Sequence, residues 1–326
     1  MHVQLKSKGK KPIAKLPASV EVASTETVGR ILRTISHDTG LSVHRIRLSI
    51  PADRPEAGSK KKRDTVLKPT DVLDRFVAGD DSIVLNVKDL GPQVSWRMVY
   101  FVEYLGPLLI HPLLYYYLQR PIYGVRFEHS LDQQLSFIFV MLHFAKREYE
   151  TLFVHKFSMD TMPLFNLFKN CAHYWFLSGL NFAYFIYAPA TYFAPTAGLL
   201  KKLAFSRLRP IPFGETGLYA LSALWVFAEL SNFKTHLTLS KLREGGSRER
   251  KIPYGYGFNL VSFPNYFFEY LSFLSIALLT QNWAPFLFLV VGTAQMYIWA
   301  VKKHRRYRKD FPNYPRNRKA MFPFLF

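Results

Sequence analysis

The stretch FPNYFFEYLSFLSIALLTQNWAPFLFLVVGTAQMYIWAV, residues 263–301, decides the fold class. It contains two apolar runs of about 20 residues, the length that a helix needs to cross a bilayer. Similar runs occur from Trp96 onward, whereas the residues up to about 92 are polar, charged and poor in aromatic side chains. The sequence therefore predicts an α-helical polytopic membrane domain, residues 93–326, after a separate N-terminal domain, residues 1–92.

The distribution of charge supports this division. The chain has 326 residues, with 43 Lys and Arg against 23 Asp and Glu, so its formal net charge is +20. Such a charge invites a nucleic-acid interpretation, but the basic residues bunch at the ends of the apolar runs, as in cytoplasmic loops of membrane proteins. The pattern favours membrane topology with a phosphate-bearing ligand. The single cysteine, Cys171, excludes an intramolecular disulfide and a cysteine-based zinc site.

We predict six membrane spans and leave a seventh helix open in the basic stretch 189–214. If the N-terminal domain is cytoplasmic, six spans return the C-terminus to the cytoplasm and place most loops rich in Lys and Arg inside. The stretch 189–214 is the exception, because its basic residues, Lys201 and Arg207 among them, would lie outside. It is either an interfacial amphipathic helix or a sign of different topology. The predicted spans lie near 97–118, 131–145, 170–188, 215–235, 257–280 and 283–301.

The N-terminal domain has the pattern of a small α+β fold. Its order, strand–strand–helix–strand–strand, is that of a ubiquitin-like β-grasp domain, with a generic α+β fold as the alternative. A charged loop, Pro51–Arg63, separates the second pair of strands. The predicted elements are strands at 2–7, 14–22, 45–50 and 82–87, a helix from Thr25–Thr27 to Gly40, and a short helix at 71–76.

Several ionisable residues lie inside or beside the predicted spans, where such residues are costly and usually functional. Glu103, Glu229 and Glu269 lie within spans, and His143 and His236 lie close to the cytoplasmic ends. Each one alone is equally well explained as a paired or snorkelling side chain. Together they suggest a polar cavity that opens to the cytoplasm.

The segment NFKTHLTLSKLREGGSRERKIP, residues 232–253, combines a polar helix face with a basic loop. Asn232 and His236 are four residues apart and share a face. The arginines that follow could hold a multiply phosphorylated cofactor through forked contacts, although a plain cytoplasmic loop explains them too. The chain has neither a GxGxxG motif after a strand nor a phosphate-binding P-loop, and its histidines lack the spacing of a zinc or di-iron site.

Tyr266 is the candidate proton donor in FPNYFFE. A phenol is protonated at neutral pH and can donate a proton to a developing carbanion or oxyanion. We expect Pro264 to distort the helix beside it, and Asn265 and Glu269 to line the same cavity. The alternative is an ordinary tyrosine at the membrane interface.

The C-terminal half resembles the steroid 5α-reductase superfamily. The motifs that carry this resemblance are Asn232, Leu242-Arg243, KIP at 251–253, FPNYFFE at 263–269 and the basic C-terminal ending. The whole chain resembles one branch, the very-long-chain trans-2-enoyl-CoA reductases of the endoplasmic reticulum, which join a ubiquitin-like domain to this membrane domain. The branch motifs are KDLGPQVSW (88–96), EYLGPL (103–108), KREYETLFVHKFS (146–158), TMPLFNLFKNC (161–171) and FPNY (263–266).

The resemblance implies the last step of very-long-chain fatty-acid elongation. NADPH would deliver a hydride to C3 of a trans-2-enoyl-CoA, and C2 would take a proton. The elongase, the 3-ketoacyl-CoA reductase and the 3-hydroxyacyl-CoA dehydratase are the implied partners. Alternatives are a sterol or polyprenol reductase of the same fold and a non-catalytic membrane scaffold.

The resemblance also implies roles for individual residues. Tyr266 would be the acid and Glu103 the other essential residue, either as a protonated carboxyl group or as an orienter of Tyr266 or water. His143, Lys146 and Arg147 would contact the substrate, with CoA phosphates at the basic cytoplasmic rim. The residues expected to hold NADPH are Asn232, His236, Arg243, Lys251, Asn265, Glu269, Tyr307 and Arg318.

Three positions depart from the superfamily pattern. His236 replaces an acidic residue of the steroid reductases, and Lys251 stands where the family has Arg. Steroid reductases have a catalytic tyrosine in an early His-Tyr pair, where this chain has His143-Phe144. Because the phenol is supplied by Tyr266 instead, the exchange favours an acyl-CoA substrate over a steroid.

Overall fold

The structure is a computed structural model that describes residues 1–9, 11–23, 25–52, 64–77, 82–157, 160–192, 194, 196–205, 214–244 and 250–325. It forms two compact units, Met1–Trp96 with Met159–Asn166, and Arg97–Ser158 with Leu167–Phe326. Most of the predicted loop 51–63, the basic residues Arg207 and Arg209, and the Gly245-Gly246 segment of the basic loop lie outside the described residues.

The first unit contains a five-stranded sheet in the order β2-β1-β5-β3-β4. The central strands β1 and β5 are parallel, and the other pairs are antiparallel. The elements are β1 His2–Ser7, β2 Ser19–Glu21, α1 Val28–Thr39, β3 Ile46–Ile50, β4 Thr65–Val66 and β5 Ser82–Asp89.

The core of this unit consists of apolar residues that alternate along the strands and recur at helical spacing in α1. In β1, Val3 and Leu5 are buried and their neighbours are exposed, because successive strand residues face opposite sides of the sheet. Helix α1 buries Val28, Ile31, Leu32 and Ile35, and Gly40 ends it in the left-handed conformation, as predicted. The predicted order of strands and helix is observed, although β2 is only three residues long.

Three details of this unit differ from the sequence predictions. The two-residue strand β4, which follows β3 in the chain and pairs with it, was not predicted. The predicted short helix at 71–76 is a single 3₁₀ turn, Leu73–Arg75. A further antiparallel pair, β6 Gln93–Ser95 and β7 Thr161–Pro163, was not predicted. Strands of three residues carry too little alternation to be recognised from the sequence.

The second unit is helical. Its shorter helices are α3 Gln119–Tyr123 and α7 Leu199–Phe205. Helix α7 falls in the stretch that we left open and exposes Leu199, Leu200 and Leu203. Six longer helical segments coincide with the predicted spans. They are α2 Trp96–Pro112 with a π-helical turn Leu113–Tyr117, α4 Leu131–Tyr149 with the turn Glu150–Val154, α5 Phe165–Cys171 joined by the π-helical segment Ala172–Asn181 to α6 Phe182–Ile186, α8 Gly214–Lys241, α9 Pro264–Thr280 and α10 Trp283–Asp310.

Two of these segments, within the described part of the chain, are long and apolar enough to cross a bilayer by length and composition. They are Trp96–Tyr117 and Trp283–Asp310. The spans predicted near 97–118 and 283–301 fall on them. The other four predicted spans fall on helices that do not meet both criteria.

The last predicted spans have different ends in the structure. Helix α9 begins at Pro264, so residues 257–263 are not helical. The expectation that Pro264 distorts the helix is therefore wrong, because a proline in the first turn lacks only an N–H group that has no helical partner there. Helix α10 continues beyond residue 301 to Asp310.

A close approach in the second unit depends on a glycine. A Cβ atom on Gly106 of α2 would lie 2.1 Å from Cδ1 of Trp175. The indole nitrogen of Trp175 donates a hydrogen bond of 2.9 Å to the carbonyl oxygen of Val102. Because Gly106 of the EYLGPL motif has no side chain, Trp175 can lie directly against α2.

Candidate active site

His143 lies between two glutamates at the centre of the helical unit. Its Nδ1 atom is 2.7 Å from Oε1 of Glu229, and its Nε2 atom is 3.4 Å from Oε1 of Glu269. Ser272 donates a hydrogen bond to the same oxygen of Glu229. The three ionisable side chains come from α4, α8 and α9, so this contact joins three helices that are distant in the sequence.

Lys146 and Asn232 extend the network by one helical turn. Lys146 Nζ lies 2.6 Å from Oε2 of Glu229 and donates a hydrogen bond of 2.6 Å to Oδ1 of Asn232. Asn232 Nδ2 donates to the backbone oxygen of Asn265 at 2.9 Å and to Oε2 of Glu269 at 3.1 Å. The spacings 143/146, 229/232 and 265/269 place each pair on one helix face. The structure therefore brings together the predicted residues His143, Lys146, Asn232, Asn265 and Glu269.

Arg147 is the centre of a second group of contacts, which includes Glu150, Tyr104 and His236. Its Nη1 atom donates to Oε2 of Glu150 at 2.5 Å, and its Nη2 atom donates to the hydroxyl of Tyr104 at 2.8 Å. The other oxygen of Glu150 lies 2.9 Å from Nδ1 of His236. His236 is thus paired with a carboxylate from the turn that follows α4. Glu150 was not singled out from the sequence, although it lies three residues after Arg147 in KREYETL.

These residues are buried, which changes how Lys146 and Arg147 can act. The side chain of Lys146 is 17% exposed and that of Arg147 is 10% exposed. We expected them at a rim where CoA phosphates would meet them, but the structure holds both cations against carboxylates. A buried ion pair costs desolvation energy and tolerates loss of one partner poorly. The network therefore fixes α4, α8 and α9 relative to one another.

Glu103 lies on α2, outside the three helices of the network, and Tyr266 lies at the start of α9. Glu103 is 1% exposed, and its Oε2 atom has no hydrogen-bond partner among the described residues. Tyr266 is half-buried, and its hydroxyl accepts a hydrogen bond of 2.9 Å from Lys303. Tyr100 is close enough to both Glu103 and Tyr266 to interact electrostatically with each. Within the described residues, no hydrogen bond or ion pair joins Glu103 to Tyr266 directly.

Tyr100 was missed by the sequence analysis. It precedes Glu103 by three residues and therefore shares its helix face. Its ring stacks on Tyr104 and on Phe157, with ring centres 5.7 and 5.5 Å apart. The i, i+3 spacing was the available signal, but it is hard to recognise in a chain with 19 Tyr residues.

A basic group of residues surrounds Tyr307. Arg243, Arg250 and Arg318 all lie close enough to its hydroxyl to interact electrostatically. Arg250 is partly neutralised, because its Nη1 atom lies 2.6 Å from Oδ2 of Asp310. Three guanidinium groups around one phenol form a site of strong positive potential. Two of these arginines and the tyrosine were predicted to hold a phosphorylated cofactor.

Arg318 is positioned by aromatic rings and a backbone oxygen. It is 3% exposed, and its guanidinium carbon lies 4.7 Å from the ring centre of Tyr254 and 5.4 Å from that of Tyr314. Its Nη1 atom donates a hydrogen bond of 2.9 Å to the backbone oxygen of Pro253. Lys251, two residues earlier, is exposed. The C-terminal ending thus folds back onto the KIP motif.

Burial affects Arg243 as well. Its Nη1 atom donates a hydrogen bond to the backbone oxygen of Lys156. Desolvation, followed by the neighbouring Arg250, lowers the pKa of Arg243 from its ordinary value. A guanidinium group in this situation gains from an additional anionic partner, because such a partner offsets both effects.

Two of the residues predicted to hold the cofactor carry a buried polar atom that has no hydrogen-bond partner within the described ranges. These atoms are Oδ1 of Asn265 and Nε of Arg318. Buried polar groups are normally hydrogen-bonded, so each such atom calls for an explanation. One is an acceptor and the other a donor. A ligand with both an amide and phosphate groups would satisfy them.

One group of side chains has the composition of a metal site. Ligand atoms of Glu150, His155 and His236 lie within 4.8 Å of one another. Both oxygens of Glu150 are already engaged, and Arg147 Nη1 lies 3.2 Å from Nδ1 of His236. A guanidinium cation in contact with two of the three side chains repels a second cation. We therefore interpret the group as part of the ion-pair network.

Comparisons with known proteins agree with this description. A family model described as 3-oxo-5-alpha-steroid 4-dehydrogenase matches residues 160–326. A Schizosaccharomyces pombe protein provisionally named an enoyl reductase is 48% identical over 325 residues, 100% of both chains. A very-long-chain enoyl-CoA reductase of Dictyostelium discoideum is 40% identical over 308 residues, 94% of each chain. The trans-2,3-enoyl-CoA reductase-like protein of Mus musculus is 34% identical over 259 residues, 76% of this chain and 66% of its own.

The chain therefore belongs to the 3-oxo-5-alpha-steroid 4-dehydrogenase family. Within that family its relatives carry the names of enoyl-CoA reductases, which confirms the branch that the sequence motifs indicated. Family membership and the two apolar helices agree with the prediction of a helical membrane protein.

Proposed function

We propose that this chain reduces the C2=C3 double bond of a trans-2-enoyl-CoA and uses NADPH as the reductant. The names of its relatives support the reaction. The observation that carries the proposal is the position of Tyr266. Its phenol lies at the start of α9, in contact with Lys303, and Asn265 beside it belongs to a buried polar network.

The residues present fit NADPH. Arg243, Lys251 and Arg318, with Tyr307, would hold its phosphates, since guanidinium and ammonium groups bind phosphate by charge-assisted hydrogen bonds. The unpartnered acceptor of Asn265 suits the carboxamide group of the nicotinamide. Asn232 donates hydrogen bonds to the backbone oxygen of Asn265 and to the carboxylate of Glu269, and these bonds hold Asn265 in place. Bound NADPH supplies the hydride for C3.

Tyr266 donates the proton that C2 needs. Hydride addition at C3 moves the electron pair of the double bond toward C2 and the thioester oxygen. A phenol beside C2 can transfer its proton there, which removes the developing charge. Positioned proton transfer of this kind contributes about 10²- to 10⁴-fold to rate.

Glu103 acts on the same charge. A carboxylate would repel an enolate, whereas a protonated carboxyl group can donate a hydrogen bond to it. The near-complete burial of Glu103 and its unpartnered oxygen support the neutral form. Tyr100 interacts electrostatically with both Glu103 and Tyr266, which supports a shared role of the two acids at one bound acyl group.

His143, Lys146 and Arg147 position this machinery. We predicted that they bind substrate, and their buried ion pairs support an indirect role. Through Glu229 and Asn232, His143 and Lys146 hold the backbone of Asn265 and the carboxylate of Glu269. Arg147 instead contacts Glu150 and Tyr104. His236 pairs with Glu150, which also holds Arg147.

The setting is an endoplasmic reticulum membrane, with both termini in the cytoplasm. The chain crosses the bilayer in six spans, and residues 1–92 form a cytoplasmic ubiquitin-like domain joined to the reductase domain 93–326. The observed sheet order supports this N-terminal fold. The reaction is the last step of very-long-chain fatty-acid elongation. Its partners are the elongase, the 3-ketoacyl-CoA reductase and the 3-hydroxyacyl-CoA dehydratase.

The test is oxidation of NADPH by purified protein in detergent with a long-chain trans-2-enoyl-CoA. Wild type should consume NADPH, and Tyr266→Phe should lose at least about 100-fold in kcat. Tyr297→Phe on α10 is the matched control. Equal turnover by wild type and Tyr266→Phe would remove Tyr266 as the donor. NADPH binding without turnover would favour a sterol or polyprenol substrate, and absence of both would favour a scaffold.

A further inference from the structure

The ammonium group of Lys303 lies against the proposed proton donor. Its Nζ atom donates a hydrogen bond of 2.9 Å to the hydroxyl oxygen of Tyr266. The same nitrogen lies 5.3 Å from the ring centre of Tyr266 and 5.5 Å from that of Phe263. These two rings are stacked, with centres 5.7 Å apart. Lys303 therefore donates to the phenol oxygen and lies beside two aromatic rings.

The direction of this hydrogen bond leaves the phenol proton available. An ammonium group has three donors and no acceptor. The oxygen of Tyr266 must therefore accept the bond from Lys303, and its own O–H can point to another group. Tyr266 can thus remain bound to Lys303 while it donates a proton to a substrate carbon.

The backbone fixes the positions of Tyr266 and Lys303 relative to each other. Tyr266 is the third residue of α9, and Lys303 lies on α10, which follows after only Gln281 and Asn282. Immediately before α9, the amide of Ser262 donates to Lys319 O at 2.9 Å and that of Phe263 donates to Ala320 O at 3.2 Å. The C-terminal segment therefore fixes the start of α9, where the phenol is attached.

We infer that Lys303 is a positioning residue that stabilises the phenolate of Tyr266 during proton transfer, an inference that rests on the proposed function. The hydride adds to C3, and the π electron pair of C2=C3 becomes the enolate. The new C2–H bond takes the proton of Tyr266, which retains the O–H electron pair as phenolate. Lys303 stays protonated, and a solvent proton restores the phenol after product leaves.

The energetic basis is the difference between a neutral and a charged acceptor. When the proton leaves, the ammonium group faces a phenolate instead of a neutral phenol, and the attraction between opposite charges is added to the hydrogen bond. The interaction of Lys303 with Tyr266 therefore grows as the proton leaves. Only interactions that strengthen toward the transition state increase the rate of the chemical step.

The test compares Lys303→Met with Lys302→Met in the NADPH oxidation assay. Lys302 is its exposed neighbour, and its side chain makes no hydrogen bond or ion pair with the described residues, so it controls for loss of charge on this helix. We expect Lys303→Met to lower kcat by about 10- to 100-fold, the range of a hydrogen bond to a charged group. The KM values for NADPH and enoyl-CoA should change little, and the solvent deuterium isotope effect on kcat should increase. Lys303→Arg retains a cation and should recover most of the loss.

A double variant separates this inference from the proposed function. Once Tyr266→Phe has removed the hydroxyl, adding Lys303→Met should cause no further loss of kcat. Equal kcat values for Lys303→Met and Lys302→Met would overturn the inference and leave the reductase function standing. Additive losses in the double variant, or a loss that Arg does not recover, would also overturn it, since they indicate a structural role. Full activity of Tyr266→Phe would instead refute the proposed donor itself.

Discussion

The imidazole of His143 lies 2.7 Å from the carboxylate of Glu229, and both side chains are almost completely buried. Around this pair, charges of opposite sign alternate from α4 to α8 and α9. Because the interior offers no water to screen an unpaired charge, each member depends on its neighbours. We therefore expect the ion pairs of α4, α8 and α9 to keep the start of α9, and with it Tyr266, in position.

Lys146→Met should destabilise the folded protein more than an ordinary surface change. It leaves Glu229 without its 2.6 Å ammonium partner, and breaking a buried pair costs about 3–5 kcal/mol. Adding Glu229→Gln should recover part of this free energy, because the unpaired charge is then removed. Denaturant unfolding of the two single variants and the double variant measures the coupling. Simple additivity of the two losses would contradict the pairing.

Gly106→Ala should destabilise the helical unit through a steric clash. The new Cβ atom would lie 2.1 Å from Cδ1 of Trp175, and overpacking of this kind costs about 1–3 kcal/mol. Gly292→Ala on α10 is the matched control, because nothing lies within 4 Å of its Cβ position. Thermal unfolding in detergent compares them. Equal transition temperatures for the two variants would show that Trp175 does not lie against α2.

Arg243→Ala should weaken NADPH binding without slowing the chemical step. If Arg243 contacts a phosphate equally in the ground and transition states, KM for NADPH rises and kcat is retained. We expect an increase of about tenfold, the value of one charge-assisted contact. Arg305→Ala, an exposed change on α10, is the control. A fall in kcat at unchanged KM would place Arg243 outside the cofactor site.

Acid should destabilise the N-terminal sheet through Asp64. This side chain accepts hydrogen bonds from Lys8 at 2.5 Å and Asn86 at 2.8 Å, which hold its pKa well below the usual range. A carboxyl group with a lowered folded-state pKa stabilises the fold above its unfolded pKa of about 3.9. That stabilisation is lost as pH falls further.

Hydrogen exchange of the β5 amides in the full chain tests this prediction. Protection should fall between about pH 4 and pH 2 in wild type. In Asp64→Asn, protection should be lower at neutral pH and less dependent on pH in this range. Glu26→Gln is the control carboxylate, since it pairs with Arg30 on the surface of α1. An unchanged pH dependence in Asp64→Asn would contradict the assignment.

Local pattern was enough to predict most of the elements. Alternation predicted β1, β3 and β5, and apolar length predicted the six long helical segments, because both depend on near neighbours in the sequence. The residues at which helices begin and end were predicted less accurately. Pro264 was expected to break a helix and instead begins one, because its effect depends on whether a preceding turn exists for it to disrupt.

The sequence by itself determined the family, the division into a polar and an apolar part, and the residue types available for the chemistry. It also indicated Glu103 and Tyr266, since the motifs around them are local. Only the tertiary structure decided which side chains contact these residues. Lys146 is held by Glu229, Tyr100 interacts electrostatically with both proposed acids, and Lys303 contacts the phenol. These contacts join helices separated by tens of residues, so their geometry exists only once the apolar faces have packed.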